Sequence, residues 1–207
     1  MYQHSGHRWV KLTACPPTAM FFKKPAQPAQ PPPVHEPSKP ETIYALVIGI
    51  NKYPADRGWH SLDGAVADAE DFNSFLIDTL KVSSRNIRFM RDACRRDIID
   101  AIANLKEGKL LMKSGEAVTI QPESAFIFFY AGHGGRTSIP ATWKKAGYVT
   151  TDGQVEQLVP SDIGTKDELH HEVVGISDRL ISAVLKNLID KIGDNIVSKL
   201  MLNLDCF

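Results

Sequence analysis

The sequence is short of cysteine, of excess charge and of long apolar runs, and each shortage excludes a class of protein. Its three cysteines, Cys15, Cys94 and Cys206, lie far apart, so they form neither a disulfide framework nor a zinc cluster, and no metal site is predicted. Lys plus Arg and Asp plus Glu both number 24, whereas nucleic-acid-binding proteins usually carry a basic excess. No apolar run approaches the ~20 residues that span a bilayer. We therefore expect a cytoplasmic protein of a reducing compartment that binds neither nucleic acid nor membrane.

Proline is unevenly distributed and marks a boundary near residue 42. Nine of the 13 prolines lie within residues 1–41, and proline both removes a backbone donor and opposes helix and sheet. We predict a disordered segment over residues 1–41, followed by one domain over residues 42–207. The proline-rich segment is either a plain tail or a prodomain that docks a partner.

Apolar runs and helical patterns alternate along the second part of the chain. Buried strands are predicted over residues 44–50, 86–90, 125–130 and 196–204, and amphipathic helices over residues 63–80, 97–105 and 176–192. The polar stretch over residues 136–175 is predicted to form loops, with a hairpin near residues 148–159. This order is typical of an open α/β sheet with helices on both faces. In such sheets the chemistry gathers at the carboxyl ends of the strands.

Two sequence features stand at predicted strand ends. Gly132-His133-Gly134 follows the third strand, and Asp205-Cys206 ends the fourth. An imidazole between glycines is expected to be unshielded and able to exchange a proton. A cysteine brought beside it by the fold would complete the nucleophile–base pair of a thiol hydrolase. Against this, a loop histidine can lack a role, and a strand-terminal cysteine is more often a small buried hydrophobe.

Six segments in register resemble the metacaspases and related fungal caspase-like proteins. They are residues 44–53 (YALVIGINKY), 62–69 (LDGAVADA), 128–134 (FFYAGHG), 158–162 (LVPSD), 176–178 (ISD) and 204–206 (LDC). The resemblance implies a caspase-like three-layer α/β sandwich with a mostly parallel sheet, which we expect to be incomplete at its C-terminus. It also implies a cysteine endopeptidase acting on protein or peptide substrates with basic residues. His133 then takes the place of the general base, while Asp68 and Asp205 match the acids that accept an arginine or lysine side chain.

The match departs from the family pattern at the nucleophile. The family places its cysteine two residues after the aspartate, where this chain has Phe207, and Cys206 matches the intervening position. In a regular strand Asp205 and residue 207 share one face of the sheet. Cys206 then lies on the opposite face and points away from His133, unless a bulge intervenes. Cys206 is nevertheless the candidate catalytic cysteine. We expect the chain as it stands to be inactive.

Two further departures concern the substrate pocket and calcium. Ala131 replaces a serine of the family's pocket, and Ser177 stands where many members place an acid linked to calcium binding. No cofactor is required by the sequence, and calcium enters only through the resemblance. Its candidate oxygen ligands are Asp152, Asp162 and Asp178.

Two other functions remain open on the sequence alone. One is a non-catalytic pseudo-protease that binds or regulates an active caspase-like protein, which Phe207 favours. The other is an unrelated doubly wound domain that binds a small ligand at its strand ends. No glycine-rich phosphate loop follows any predicted strand, which opposes this second alternative.

Overall fold

The computed structural model describes residues 2–5, 8–11 and 42–203, and it divides into two units. The first unit spans Met1–Glu36, and its described residues form an antiparallel hairpin of β1 (Tyr2–Ser5) and β2 (Arg8–Lys11). The predicted disorder of residues 1–41 stays a prediction, because most of that segment lies outside the described residues.

The second unit is an α/β domain built on a six-stranded sheet. Its sheet strands are β3 (Ile43–Gly49), β4 (Ile87–Arg91), β7 (Ala125–Ser138), β8 (Gln154–Leu158), β9 (Ile176–Ser177) and β10 (Ile196–Asn203). A separate small hairpin contains β5 (Lys109–Leu111) and β6 (Ala117–Thr119). The helices are α1 (Ala65–Ser74), α2 (Arg95–Leu105), α3 (Ala141–Lys145) and α4 (Asp178–Ile192).

The sheet is parallel in its centre and antiparallel on one side. β3 pairs in parallel with β4 and with the first half of β7, and β10 pairs in parallel with the other edge of that half. The second half of β7 turns to an antiparallel partner, β8, which in turn pairs with β9. This mixed sheet agrees with the predicted caspase-like α/β class. β8 lies in the stretch predicted to form a hairpin near residues 148–159, but it pairs with β7 and β9. β9 takes the first two residues of the helix predicted over residues 176–192.

Helices cover both faces of the sheet, as the continuous apolar runs predicted. In β3, Leu46 and Ile48 join a buried cluster with α2 and α4, whereas Ala45 and Val47 join a second cluster with α1. Because successive strand residues point to opposite faces, a strand buried on both sides must be apolar throughout. Among the described residues, no helix has the length and apolar character needed to cross a bilayer.

Gly49 allows α1 to lie directly on β3. A β-carbon at this position would come within 2.7 Å of the Ala69 β-carbon and 2.8 Å of the Ala65 carbonyl oxygen. Only a residue without a side chain leaves room for so close an approach. The helix then continues beyond Ser74 as a wider i→i+5 turn over Phe75–Thr79, so the predicted helix over residues 63–80 forms over most of its length.

Candidate active site

His133 lies inside a strand and not in the exposed turn that the flanking glycines suggested. β7 continues through the glycines to Ser138, and His133 is only 1% exposed. The continuation is held by antiparallel pairing of Gly134 with Leu158 and Gly135 with Gln157 in β8. The expectation of an unshielded imidazole was therefore wrong, because pairing with β8 overrides the local flexibility of the glycines.

The main chain of His133 is fixed by two buried tyrosines and by Val159, the residue that follows β8. Its N–H donates to the Tyr53 hydroxyl at 2.9 Å, and its carbonyl accepts from the Val159 N–H at 3.1 Å. The Tyr130 hydroxyl lies 3.0 Å from the His133 carbonyl oxygen and 2.9 Å from that of Val159, so its proton is shared between two acceptors. Burial raises the pKa of Tyr130 well above its ordinary value, and Tyr53 adds to the shift. Tyr130 therefore stays a neutral donor at physiological pH.

Gly132 makes room for these two hydroxyl groups. A β-carbon at this position would lie 2.6 Å from the Tyr130 hydroxyl oxygen and 2.7 Å from that of Tyr53. Real β-carbons do not approach other atoms so closely. The glycine before the histidine thus serves the hydrogen bonds that hold the histidine in place.

The imidazole of His133 is oriented by a backbone carbonyl. Its Nε2 lies 2.7 Å from the carbonyl oxygen of His60. Because a carbonyl oxygen only accepts, Nε2 carries the proton, and in the neutral ring Nδ1 is the proton-accepting nitrogen. The rings of Tyr53 and Trp59 lie beside the imidazole, with centroids 4.6 Å and 5.5 Å away. The arrangement suits a general base that accepts a proton at Nδ1 while Nε2–H is held by the His60 carbonyl.

Two polar side chains at strand ends position the loop that carries Tyr53, Trp59 and His60. Asn51 follows β3, and its side-chain oxygen accepts the Val66 N–H at 2.9 Å at the start of α1. Asp92 follows β4 in a left-handed conformation, φ 45°. Its Oδ1 accepts the N–H of Asn51 at 2.8 Å and that of Lys52 at 3.0 Å. Sequence reasoning missed both residues, although polar residues directly after buried strands were a signal for them.

Asp68, the predicted specificity acid, is exposed on α1. Its helix packs through Ala65 and Ala69 in the same cluster as Ala131, which stands two residues before His133. The structure thus brings α1 and the middle of β7 together on one face of the sheet. No hydrogen bond or ion pair joins Asp68 to His133 in the part of the chain that the structure describes.

Asp205 and Cys206 lie outside the described residues, so their predicted roles stay predictions. β10 leads toward them in parallel with β7, and its last register pair places Asn203 opposite His133. The backbone of the fourth parallel strand therefore reaches the level of the histidine two residues before Asp205.

Asp152 and Asp178 line one cleft, whereas Asp162, the third candidate calcium ligand, lines another. Asp162 accepts the Arg95 N–H at 2.8 Å and so caps the start of α2. Asp152 lies 3.5 Å from an Arg136 guanidinium nitrogen, and hydrogen bonding from the Gln154 N–H lowers its pKa. No group of three or more His, Cys, Asp or Glu residues within the described ranges is placed to hold a metal ion. The described donor set does not fit a calcium site.

A cleft is lined in part by Trp59, whose ring lies beside the imidazole of His133. It measures about 390 Å³, and its walls include Arg57, Trp59, Thr137 and Gln157. Trp59 thus separates the imidazole from an open space large enough for a few side chains of a bound peptide.

Comparison with known proteins gives a family and a fold. A family model described as the caspase domain matches residues 42–189. Metacaspase-1A from Neurospora crassa is 27% identical over 135 residues, which are 63% of this chain and 27% of that protein. The crystal structure of a Geobacter sulfurreducens protein covers 76% of this chain and 48% of its own, with 19% identity and a TM-score of 0.50. That structural likeness shows the fold alone. The chain spans about a quarter of the length of the curated relative.

Proposed function

The chain belongs to the caspase-domain family of peptidases, and we propose that this domain, when it carries the nucleophile, is a cysteine endopeptidase that cleaves after arginine or lysine. Membership of a peptidase family implies protein substrates. The observation that carries the proposal is the contact of 2.7 Å between His133 Nε2 and the His60 carbonyl oxygen. This contact holds Nε2, so that Nδ1 points away from the His60 carbonyl oxygen and the buried imidazole is suited to proton transfer.

In the proposed reaction His133 accepts a proton as a base and then returns it as an acid. Nδ1 accepts the proton of a cysteine thiol, and the thiolate attacks the scissile carbonyl carbon. The C–N bond breaks as His133 returns the proton to the leaving amine, which leaves a thioester. Water then attacks the thioester with His133 again as the base, releasing the acid product and the thiol. During each step with a charged ring, the His60 carbonyl stabilises the imidazolium at Nε2–H.

Specificity for basic residues is proposed to rest on Asp68 and Asp205. A carboxylate accepts an arginine or lysine side chain through charge-assisted hydrogen bonds, which are stronger than neutral ones. The exposed Asp68 is open to such a contact, and its helix packs on the face that holds Ala131.

Whether this chain can catalyse the reaction depends on which residue stands at the nucleophile position. Phe207 stands where the family has its cysteine, and phenylalanine offers no nucleophilic atom. Asn203 is the last described residue of β10 and pairs with His133. We propose that regular alternation continued from it would give positions 205 and 207, and not position 206, the histidine's face. We therefore propose that Cys206 does not serve as the nucleophile and that the chain is inactive. The same observation favours a second candidate, a non-catalytic domain that binds protein partners.

A cleavage assay distinguishes these candidates. Fluorogenic peptides ending in Arg, Lys or Asp are incubated with the wild-type chain, Phe207→Cys, Cys206→Ser, and Phe207→Cys combined with His133→Ala. We expect cleavage after Arg and Lys by Phe207→Cys only, and its loss on removal of His133.

Three other results would change the assignment. Wild-type cleavage that disappears in Cys206→Ser would contradict the proposed inactivity. Cleavage by Phe207→Cys after Asp in place of Arg or Lys would contradict the proposed specificity. No cleavage by any variant would favour the non-catalytic candidate.

A further inference from the structure

β4 forms one edge of the sheet, and a groove runs along it. Among the described strands β4 pairs only with β3, so its other side carries backbone groups that lack a ladder partner. All five residues of Ile87–Arg91 line a cavity of about 500 Å³, together with Met112 and Lys113 near the β5–β6 hairpin. Because alternate strand residues face opposite sides of a sheet, a cavity that all five line lies along the strand edge and not on one face.

The Arg88 guanidinium in this groove is only partly satisfied. Its Nε and Nη1 atoms are buried and have no hydrogen-bond partner among the described residues. Burial also lowers the pKa of the Arg88 guanidinium, although the charge of Asp97 opposes that shift. A desolvated guanidinium with unmet N–H groups is costly to the free protein. A carboxylate brought to the groove would remove that cost after a rotation of the Arg88 side chain.

The charges around the groove are mainly positive. Arg88, Arg91 and Lys113 line it, against one acid, Asp97 on α2. Arg91 also contacts Glu70 at 2.8 Å, but both side chains are largely exposed, and such surface pairs are weak. The edge therefore attracts an anionic partner, and it opposes pairing with a second copy of itself, since two such edges would bring like charges together.

We propose that the β4 edge binds an extended acidic segment of a partner protein, which adds to the sheet as a further strand. The segment would hydrogen-bond to the free backbone groups of β4, the mode of recognition known as β-augmentation. Acidic side chains on the face of Arg88 would meet Arg88 and Lys113. Apolar side chains at alternate positions would contact Phe89, which is half-buried. The best ligand is therefore a sequence in which acidic and apolar residues alternate.

Fluorescence anisotropy of the full chain with labelled peptides tests the proposal. The probe is a hexapeptide of alternating Glu and Val. Its controls are the Lys/Val counterpart and a Glu/Val peptide N-methylated at alternate residues, which cannot donate ladder hydrogen bonds. We expect binding of the first peptide only. Arg88→Met or Lys113→Met should each weaken it about tenfold, the effect of one charge-assisted hydrogen bond. Arg85→Met, at an exposed position outside the groove, is the matched control and should change it less than about twofold.

Several outcomes would overturn the proposal. Equal binding of the N-methylated peptide, or displacement of the probe by millimolar inorganic phosphate, would reduce the groove to an anion site without strand addition. Sedimentation showing a dimer that the peptide dissociates would assign the edge to a second copy of the chain. No binding of the acidic peptide to the wild-type chain, shown by circular dichroism to be folded, would exclude the site. None of these results depends on peptidase activity.

Discussion

Replacing Gly132 by alanine should destabilise the domain far more than a glycine-to-alanine change normally does. The new methyl group would lie 2.6 Å and 2.7 Å from the hydroxyl oxygens of Tyr130 and Tyr53. Both rings are buried, so neither can move into solvent. Overpacking of a core costs about 1–3 kcal/mol, and weakening a buried hydrogen bond to the His133 main chain adds about 1 kcal/mol or more. We expect a loss of about 2–4 kcal/mol in the free energy of unfolding.

The measurement is urea unfolding of Gly132→Ala beside Gly135→Ala, a matched control in the same strand. A β-carbon at Gly135 would have its nearest contact at 3.2 Å, to the amide nitrogen at the end of the flexible Gln157 side chain. Its cost should be below about 1 kcal/mol. Equal losses in the two variants would refute the reasoning, because the claim rests on the two tyrosine hydroxyls.

A double-mutant cycle makes the test more specific. Tyr53→Phe removes the hydroxyl that accepts the His133 N–H and should by itself cost about 1–3 kcal/mol. In the Gly132→Ala background it also removes one of the two clashes, so its cost should fall by at least about 1 kcal/mol. Strict additivity would contradict the proposed geometry.

Two further predictions concern groups that support the site. Asp92→Ala removes the acceptor of the Asn51 and Lys52 N–H groups and should cost about 1–3 kcal/mol in the free energy of unfolding measured with urea. Asp92→Asn keeps one side-chain oxygen and tolerates the left-handed φ, so it should cost less. Equal losses in the two variants would contradict this role of Asp92. Tyr130 has a raised pKa, so the folded state holds its proton more tightly than the unfolded chain, and this contribution to stability is present below the unfolded pKa of about 10 and is lost as pH rises above it. Tyr130→Phe should therefore lose less stability than the wild type between pH 8 and pH 11. The same loss in both proteins would show that burial of Tyr130 does not set the pH dependence of stability.

The elements that form the core follow from sequence periodicity. The apolar run over residues 44–50 predicts a strand buried on both faces, and β3 alternates between two clusters as expected. The apolar stripe over residues 176–192 predicts a helix, and α4 forms over Asp178–Ile192 after two residues of strand. These elements were predictable because burial on one or two faces leaves a direct pattern in the residues.

The surroundings of His133 were less predictable, for physical reasons. Glycines normally weaken a strand, so the run after Ala131 indicated a turn, yet pairing with β8 some twenty residues later carries β7 through it. The His60 contact uses a carbonyl oxygen, which every residue possesses and which therefore leaves no signal in the sequence. The small β5–β6 hairpin was also missed, because strands of three residues are too short to give a pattern.

The central proposal is that His133 takes a proton from a thiol at position 207, once Phe207 is replaced by cysteine, and not from the thiol of Cys206. It is tested by the pH dependence of iodoacetamide alkylation in two proteins that each keep a single cysteine, with Cys15 and Cys94 replaced by serine in both. The first carries Phe207→Cys and Cys206→Ser, and the second keeps Cys206 and Phe207. Each is measured with and without His133→Ala. We predict that the thiol at position 207 is alkylated at pH values well below the ordinary cysteine pKa of about 8.5. In His133→Ala its alkylation should follow the ordinary pKa, whereas the alkylation of Cys206 should not change. Reactivity of Cys206 that depends on His133, with none at position 207, would contradict the account.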